Sequence, residues 1–587
     1  MTVKRGTAVL LGFLLLALCL AGLAPSAEAA GHVHDGGITF NPWNSTTTLP
    51  SGSGAYYLTG DVNLRSCWKT SGEVNLCLNG HTITQLEDGE NVIEVSTGSK
   101  LCLYNCTGTG KIEGNGTAAS VLVKGNFYMK SRSVEIRGNH GASGVEVREA
   151  GNFVLDDGVI VDNQTEGYGG GVYLATSTSN MQMNGGIIYD NLAEFGAGVA
   201  IQGGSFSMYG GEISDNRANE RGGGVYVGLE GKFYMYGGRI SENAATSTDS
   251  AGGGLYVAGK AWFMNGGEVS RNESGKMGGG ISLIGGELEI RGALIENNTA
   301  PLGGGIYATY TFTLQDATVT GNHGYHMGGG IYLTGGNVKV SGRVKVMNNY
   351  LGDPDSFTEC NLCFQTNMRK VEAIGDLDED SKIGVYLETP TNENSALEFT
   401  SGLKSVGGIT SPDSVLEADQ RYEYGVTWNS GKTEAVIVRR PKITTQPTDV
   451  TAANGSTATF KVVATGASSY QWQYSADNGS TWHDTSFASN SATVSMEAIS
   501  ARNGLLFRCV VTNAAGTVTS SAARLTVSGV KPAIRTQPTA VTVANGKTAT
   551  FKITAAGTGL SYQWQYSADN GNTWHNTSFA SNSATVS

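Results

Sequence analysis

Three carboxylates, Asp156, Asp157 and Asp162, fall within seven residues, and His140 and Arg148 lie a short way upstream. Two carboxyl groups flanking a glycosidic bond can supply the acid and the base or nucleophile that cleave it, and an aspartate cluster beside a basic residue can hold Ca²⁺ for polysaccharide cleavage. Asp157 stands where several later repeats carry glycine, so it is a local departure from the pattern. A second acidic set, Asp162, Asp190, Asp215 and Glu242, recurs one residue before an asparagine, and Arg271 breaks the run. Stacked carboxylates repel, and Ca²⁺ would relieve that repulsion; as turn residues they would instead bond nearby backbone in water, which is the expectation here. No other cofactor is indicated.

Aromatic residues give a broader signal. Tyr209, Tyr234, Tyr236 and Phe263 alternate with an apolar stripe, and Tyr173, Tyr226, Tyr256, Tyr307 and Tyr332 alternate with aliphatic residues in a second stripe interrupted by Ala200 and Ser282. If the apolar stripes face inward, these rings face outward on successive repeats. A row of such rings would offer stacking surfaces to the apolar faces of sugar rings, while tyrosines stacked on strands also stabilise a sheet without any ligand. Seven cysteines follow residue 30. Cys77 and Cys102 are one repeat apart, and strands ~4.8 Å apart lie within disulfide reach. Among Cys67, Cys77, Cys102 and Cys106 three connectivities are open. Cys360 and Cys363 lack a second pair, which suits a local staple or packed thiols. His32 and His34 are expected to be disordered, and no metal site is assigned.

The elements that must position these groups repeat. Glycine triplets or near-triplets followed by an apolar-x-apolar strand end at Gly144, Gly171, Gly198, Gly224, Gly254, Gly280, Gly305 and Gly330. Between them, at a similar spacing of 24 to 29 residues, fall Asn163, Asn191, Asn216, Asn243, Asn272, Asn298, Asn322 and Asn349. A period this short excludes four-stranded propeller blades, and apolar residues at period 2 exclude helical repeats. A parallel β-helix remains. Its inward stripe reads Phe153/Leu155, Met181/Met183, Phe206/Met208, Phe233/Met235, Trp262/Met264, Leu288/Ile290, Phe312/Leu314 and Val338/Val340. Glycine suits the corners, and the asparagines form a ladder.

The Gly-Gly-Gly-(Val/Ile/Leu)-Tyr and Ile-x-x-Asn motifs resemble the pectin-lyase-like right-handed β-helix superfamily and, within it, adhesin-type repeats. That resemblance implies an all-β fold of about eleven coils and allows lyases, hydrolases and non-catalytic adhesins alike. The Asn-Thr-Asp, Gly-His-Gly and Arg-Ile-Lys motifs of polygalacturonases do not occur, so binding is favoured over catalysis.

Lys4 and Arg5, the apolar run from Ala8 to Leu23, and Ala27-Glu28-Ala29 read as an export signal over residues 1–30. Residues 31–66 read as an entrance cap, 67–350 as the β-helix and 351–440 as a strand-rich exit cap. Residues 441–528 resemble an immunoglobulin-like sandwich, with Trp472 and Cys509 at the strand C and strand F core positions, Phe460 replacing the strand B cysteine and Phe507 the corner tyrosine. Gln471 to Ser495 and Gln563 to Ser587 differ only at Ser480/Asn572 and Asp484/Asn576. Residues 529–587 thus read as a second, truncated copy.

Glycine fills 84 of 587 positions and charged residues only 15%, against about 25% in ordinary domains. The net charge of −12, without any basic cluster, disfavours nucleic acid and anionic membrane as partners. After signal removal no stretch suits membrane insertion. The expectation is a secreted or cell-surface protein, an adhesin or glycan-binding protein with immunoglobulin-like spacers; a secreted polysaccharide lyase or glycoside hydrolase, or a structural surface component, are the alternatives.

Overall fold

The computed structural model describes residues 32–34, 37–353, 357–366, 370–387, 396–405, 409–420, 422–529 and 531–587, apart from the side chains of 405, 487–489, 580 and 581. The proposed leader, residues 1–30, lies outside them. The chain is all-β: a solenoid of about 12 turns followed by an immunoglobulin-like domain.

Each coil contributes three short strands that stack in parallel on those of the next coil. The first sheet runs through Lys100–Tyr104, Asn126–Met129, Asn152–Leu155 and Asn180–Met183. The second runs through Gly110–Glu113, Val134–Arg137, Val159–Val161 and Ile187–Tyr189. The third includes Val121–Val123, Val145–Val147 and Val172–Leu174. Alternate residues of all three point to one axis, so Phe127, Phe153, Met181, Phe206, Phe233, Ala261, Leu288 and Phe312 form a continuous buried column with the aliphatic residues of the other sheets. Removing such side chains from water contributes about 1.5–3 kcal/mol apiece, which is how a chain this poor in charge and rich in glycine holds together.

One coil breaks the expected phase. Lys260–Phe263 pairs with Val225–Met235 so that Phe233 sits beside Ala261, Tyr234 beside Trp262 and Met235 beside Phe263. Ala261 and Phe263 therefore face inward, while Trp262 and the exposed Met264 do not. The reading that placed Trp262 and Met264 in the core and Phe263 outside is wrong by one residue. A bulky tryptophan reads as core, but backbone register with both neighbouring coils decides.

The glycine triplets are dictated at each residue. Gly252 takes φ +69°, a Cβ on Gly253 would lie 2.3 Å from the Glu273 carbonyl oxygen, and one on Gly254 2.7 Å from that of Gly280. After the corner the asparagines stack. The amide of Asn163 donates to Oδ1 of Asn191 at 3.0 Å, and the relay continues through Asn216, Asn243, Asn272, Asn298, Asn322 and Asn349, each link 2.9–3.0 Å. It extends through Asn361 to the carboxylate of Asp419. Every one of these side chains is buried.

A fourth, shorter sheet lies outside the coil proper. Leu192–Phe195, Arg217–Arg221, Ala244–Ala245, Glu273–Ser274, Thr299–Leu302 and His323–Met327 stack in parallel between the asparagine corner and the third sheet. Parallel pairing also continues at both ends, from Asn41–Trp43 with Tyr56–Leu58 through to Ile383–Val385 with Leu416–Ala418. His32–His34, expected to be disordered, is a strand that pairs antiparallel with Ile38–Phe40.

One cysteine expectation needs correction. Cys77 pairs in register with Tyr104, and Cys102 with Asn75, so Cys77 and Cys102 are not stacked on one another, and both are buried. The sulfur facing Cys77 belongs to Cys106, 3.6 Å away. Coils here differ in length, so a constant 25-residue offset does not hold.

In the immunoglobulin-like domain Ser469–Ser475 pairs antiparallel with Leu506–Asn513, which sets Trp472 directly opposite Cys509. Both are fully buried, with Phe460 stacked on Phe507 at 4.9 Å. Burial lifts the Cys509 thiol to about 11.

Candidate functional site

The outward faces of the first sheet carry a cluster of rings. Tyr209 and Tyr236 each follow the last strand residue of consecutive coils, where the chain leaves the sheet and cannot bury them. They are 49% and 39% exposed, and their rings stack 4.6 Å apart at 6°. Tyr234 and Trp262, partners in register, stack at 4.9 Å and 16°. Tyr234 and Tyr236 flank the inward Met235, so both ring pairs emerge on the same side of the strand. Lys260 sits 5.7 Å from the Trp262 ring, and the Trp262 indole N–H donates to Glu287 at 3.3 Å. The patch thus holds four rings in two parallel pairs, with a cation and a carboxylate at its margin. Trp262 was missed in the sequence because its size suggested core.

Other expected rings are covered. Tyr226 and Tyr256 stack at 5.3 Å and 2° but are only 8% and 5% exposed. The fourth sheet shields them: Phe195 approaches Tyr226, and the Arg221 guanidinium lies over both Phe195 and Tyr256. Burial raises the Tyr226 hydroxyl to about 12. Tyr307 and Tyr332 are buried in the same way. Phe263 is in the core. None of Tyr226, Tyr256 and Phe263 offers a face to a ligand.

The carboxylates scatter. Asp156 pairs with Lys130 and accepts from the Asn184 amide at 2.6 Å. Asp157 accepts from the Gly158 N–H and lines a shallow cleft of 720 Å³ with Arg132, Tyr189 and Glu212. Asp162 faces a different recess, 3.3 Å from Arg137 and 3.9 Å from His140. Arg148 is bound to Glu146. The three aspartates are therefore not one constellation. Asp162, Asp190, Asp215, Glu242 and Arg271 all have φ between +51° and +59°, which is the conformational reason for aspartate at the first three; Glu242 and Arg271 take the same conformation without that preference. Burial, then the neighbouring Glu242 and Asp190, hold the Asp215 carboxyl above its usual range, and Arg271 binds Glu242 at 2.8 Å. Among the described residues, three or more histidine, cysteine or acidic side chains converge within ligand reach only at the N-terminal end of the solenoid. No helix among the described residues is long and apolar enough to cross a membrane.

The geometry defines a class: a parallel β-solenoid joined to an immunoglobulin-like sandwich. Residues 441–527 match the Immunoglobulin I-set domain. Endoglucanase C of Cellulomonas fimi is 35% identical over 156 residues, which are 24% of this chain and 14% of that enzyme. This chain thus spans a small part of that relative. Among solved structures, Sidekick-1 immunoglobulin domains 1–5 are 20% identical over 17% of this chain and 24% of that one, with a TM-score of 0.13. The titin domains z1z2 in complex with telethonin are 22% identical over 22% and 68%, with a TM-score of 0.14.

Proposed function

We propose that this is an exported cell-surface protein that binds a glycan on the flank of its solenoid, with the immunoglobulin-like region serving as a spacer. The observation that supports this most is the pair of parallel ring stacks, Tyr209 on Tyr236 and Tyr234 on Trp262, held open on neighbouring coils. An aromatic face is electron-rich, and the axial C–H groups of a pyranose present the complementary partial charge. Lys260 and Glu287 at the margin supply hydrogen bonds to ring substituents. Export rests on the basic, apolar and small-residue sequence of residues 1–30. A polysaccharide-cleaving reading draws on the Asp157 cleft, where Glu212 provides a second carboxylate.

A glycan array with the secreted chain, followed by titration of the best ligand, tests the binding reading. Tyr236→Ala should weaken binding at least about tenfold, equivalent to ~1.4 kcal/mol, without changing the circular dichroism spectrum. Reducing ends or unsaturated uronides released by the wild type, and abolished by Asp157→Ala, would replace binding with cleavage. Undiminished affinity in Tyr236→Ala and Trp262→Ala would remove the ring patch from the account.

A further inference from the structure

The end of the solenoid where the chain enters carries a second, unrelated cluster. His32 and His34 lie on one side of the first described strand, two residues apart, so their rings project in the same direction. Their Nε2 atoms are 3.0 Å apart. Cys77, from the strand Glu73–Cys77, and Cys106, from the corner after Lys100–Tyr104, bring their sulfurs to 3.6 Å. The Cys106 sulfur is 3.4 Å from the His32 Nε2. All four ligand atoms lie within 4.8 Å of one another.

Three of the six separations, 3.0, 3.6 and 3.4 Å, lie close to the edges of a small tetrahedron, and the other three are within 4.8 Å. With Zn–S ~2.3 Å and Zn–N ~2.05 Å, tetrahedral angles give edges of ~3.8 Å between sulfurs, ~3.6 Å from sulfur to nitrogen and ~3.3 Å between nitrogens. Two thiols and two imidazoles form a donor set that favours a borderline-soft ion without geometric preference of its own. The surroundings hold the donors in place. The His32 ring stacks on Tyr57 at 4.5 Å and 10°, and the His34 ring contacts Phe40 and Tyr104 at 4.7 and 4.9 Å. Cys106 is exposed and leaves the ion a way in.

We propose that His32, His34, Cys77 and Cys106 form a tetrahedral Zn²⁺ site that fastens the N-terminal strand against the flank of the first coils. Each thiol loses its proton as the ion binds, so uptake of one Zn²⁺ releases two protons. The bound ion joins three segments remote in sequence.

The secreted chain, reduced and freed of metal, should bind one Zn²⁺ per chain by elemental analysis, and Co²⁺ in its place should give the intense visible bands of tetrahedral thiolate coordination. Cys106→Ser and His32→Ala should each weaken Zn²⁺ binding about a hundredfold, while Cys102→Ser leaves it unchanged. Cys106 is exposed, so its variant separates loss of a ligand from loss of the fold. Less than one equivalent of tightly held Zn²⁺, octahedral Co²⁺ bands, undiminished binding in both ligand variants, or a Cys77–Cys106 disulfide in the metal-free secreted protein would each overturn the site.

Discussion

Replacing Asn243 by alanine tests the internal ladder at its middle. Asn243 is fully buried and makes five side-chain hydrogen bonds. Its Oδ1 accepts from the backbone and amide N–H of Asn216, both at 3.0 Å, and its amide donates to the carbonyls of Ile213 and Ser241 and to Oδ1 of Asn272 at 2.8, 3.0 and 3.0 Å. In Asn243→Ala the backbone N–H of Asn216 loses its acceptor in the interior, which costs about 1–3 kcal/mol. The Asn216 amide keeps the Ile188 and Ser214 carbonyls, and Asn272 keeps the N–H of residue 243. Adding the other lost bonds at about 0.5–1 kcal/mol each, with shared partners making them less than additive, gives a loss of roughly 3–5 kcal/mol. Asn219, exposed on the neighbouring fourth-sheet strand, is the control, and its alanine variant should stay within about 0.5 kcal/mol of wild type. Urea unfolding followed by circular dichroism, with hydrogen exchange of the segment around Asn216 to assign the transition, measures both. A loss below ~1 kcal/mol for Asn243→Ala, or equal losses for the two variants, would refute the claim that the ladder stabilises the coil.

Two further outcomes are expected. Burial raises the Asp419 carboxyl to about 7, against hydrogen bonds from Asn361 that favour its charge. A carboxyl raised in the folded state contributes stability that is complete below its ordinary value near 3.8 and is lost as pH rises toward 7. Wild type minus Asp419→Asn should therefore show stability falling by a few kcal/mol, to order of magnitude, between pH 4 and 7; parallel pH profiles would count against it. Gly254→Ala should lower the free energy of unfolding by about 1–3 kcal/mol, because its new Cβ meets the Gly280 carbonyl oxygen at 2.7 Å; an unchanged stability would mean that the corners yield.

Much of this was legible in the sequence, because solenoid corners impose chemistry at fixed places. Only glycine meets both the φ of Gly252 and the crowding at Gly254, and asparagine at the next corner can donate and accept along the axis, so both repeat in letters. The inward stripe failed only where Ala261 fills a slot that is Phe in its neighbour. Less visible was the fourth sheet. Arg217–Arg221 and Glu273–Ser274 carry almost no apolar alternation, and Arg221 covers Tyr256 with its guanidinium, so the burial of Tyr226 and Tyr256 left no periodic trace. The convergence of His32 and His34 on Cys77 and Cys106 depends on the fold of the entrance and not on any spacing.

The asparagine relay has a direction. Every amide from Asn163 onward hands its proton toward higher residue numbers, so the row is polar and needs an end that only receives. Asp419 is such an end: its two oxygens take the backbone and side-chain protons of Asn361 and, when ionised, have none to pass on. A further identical turn stacked beyond it would find no donor to continue the row. One aspartate in the interior thus acts as a full stop for a repeat that the glycine corners alone would allow to go on.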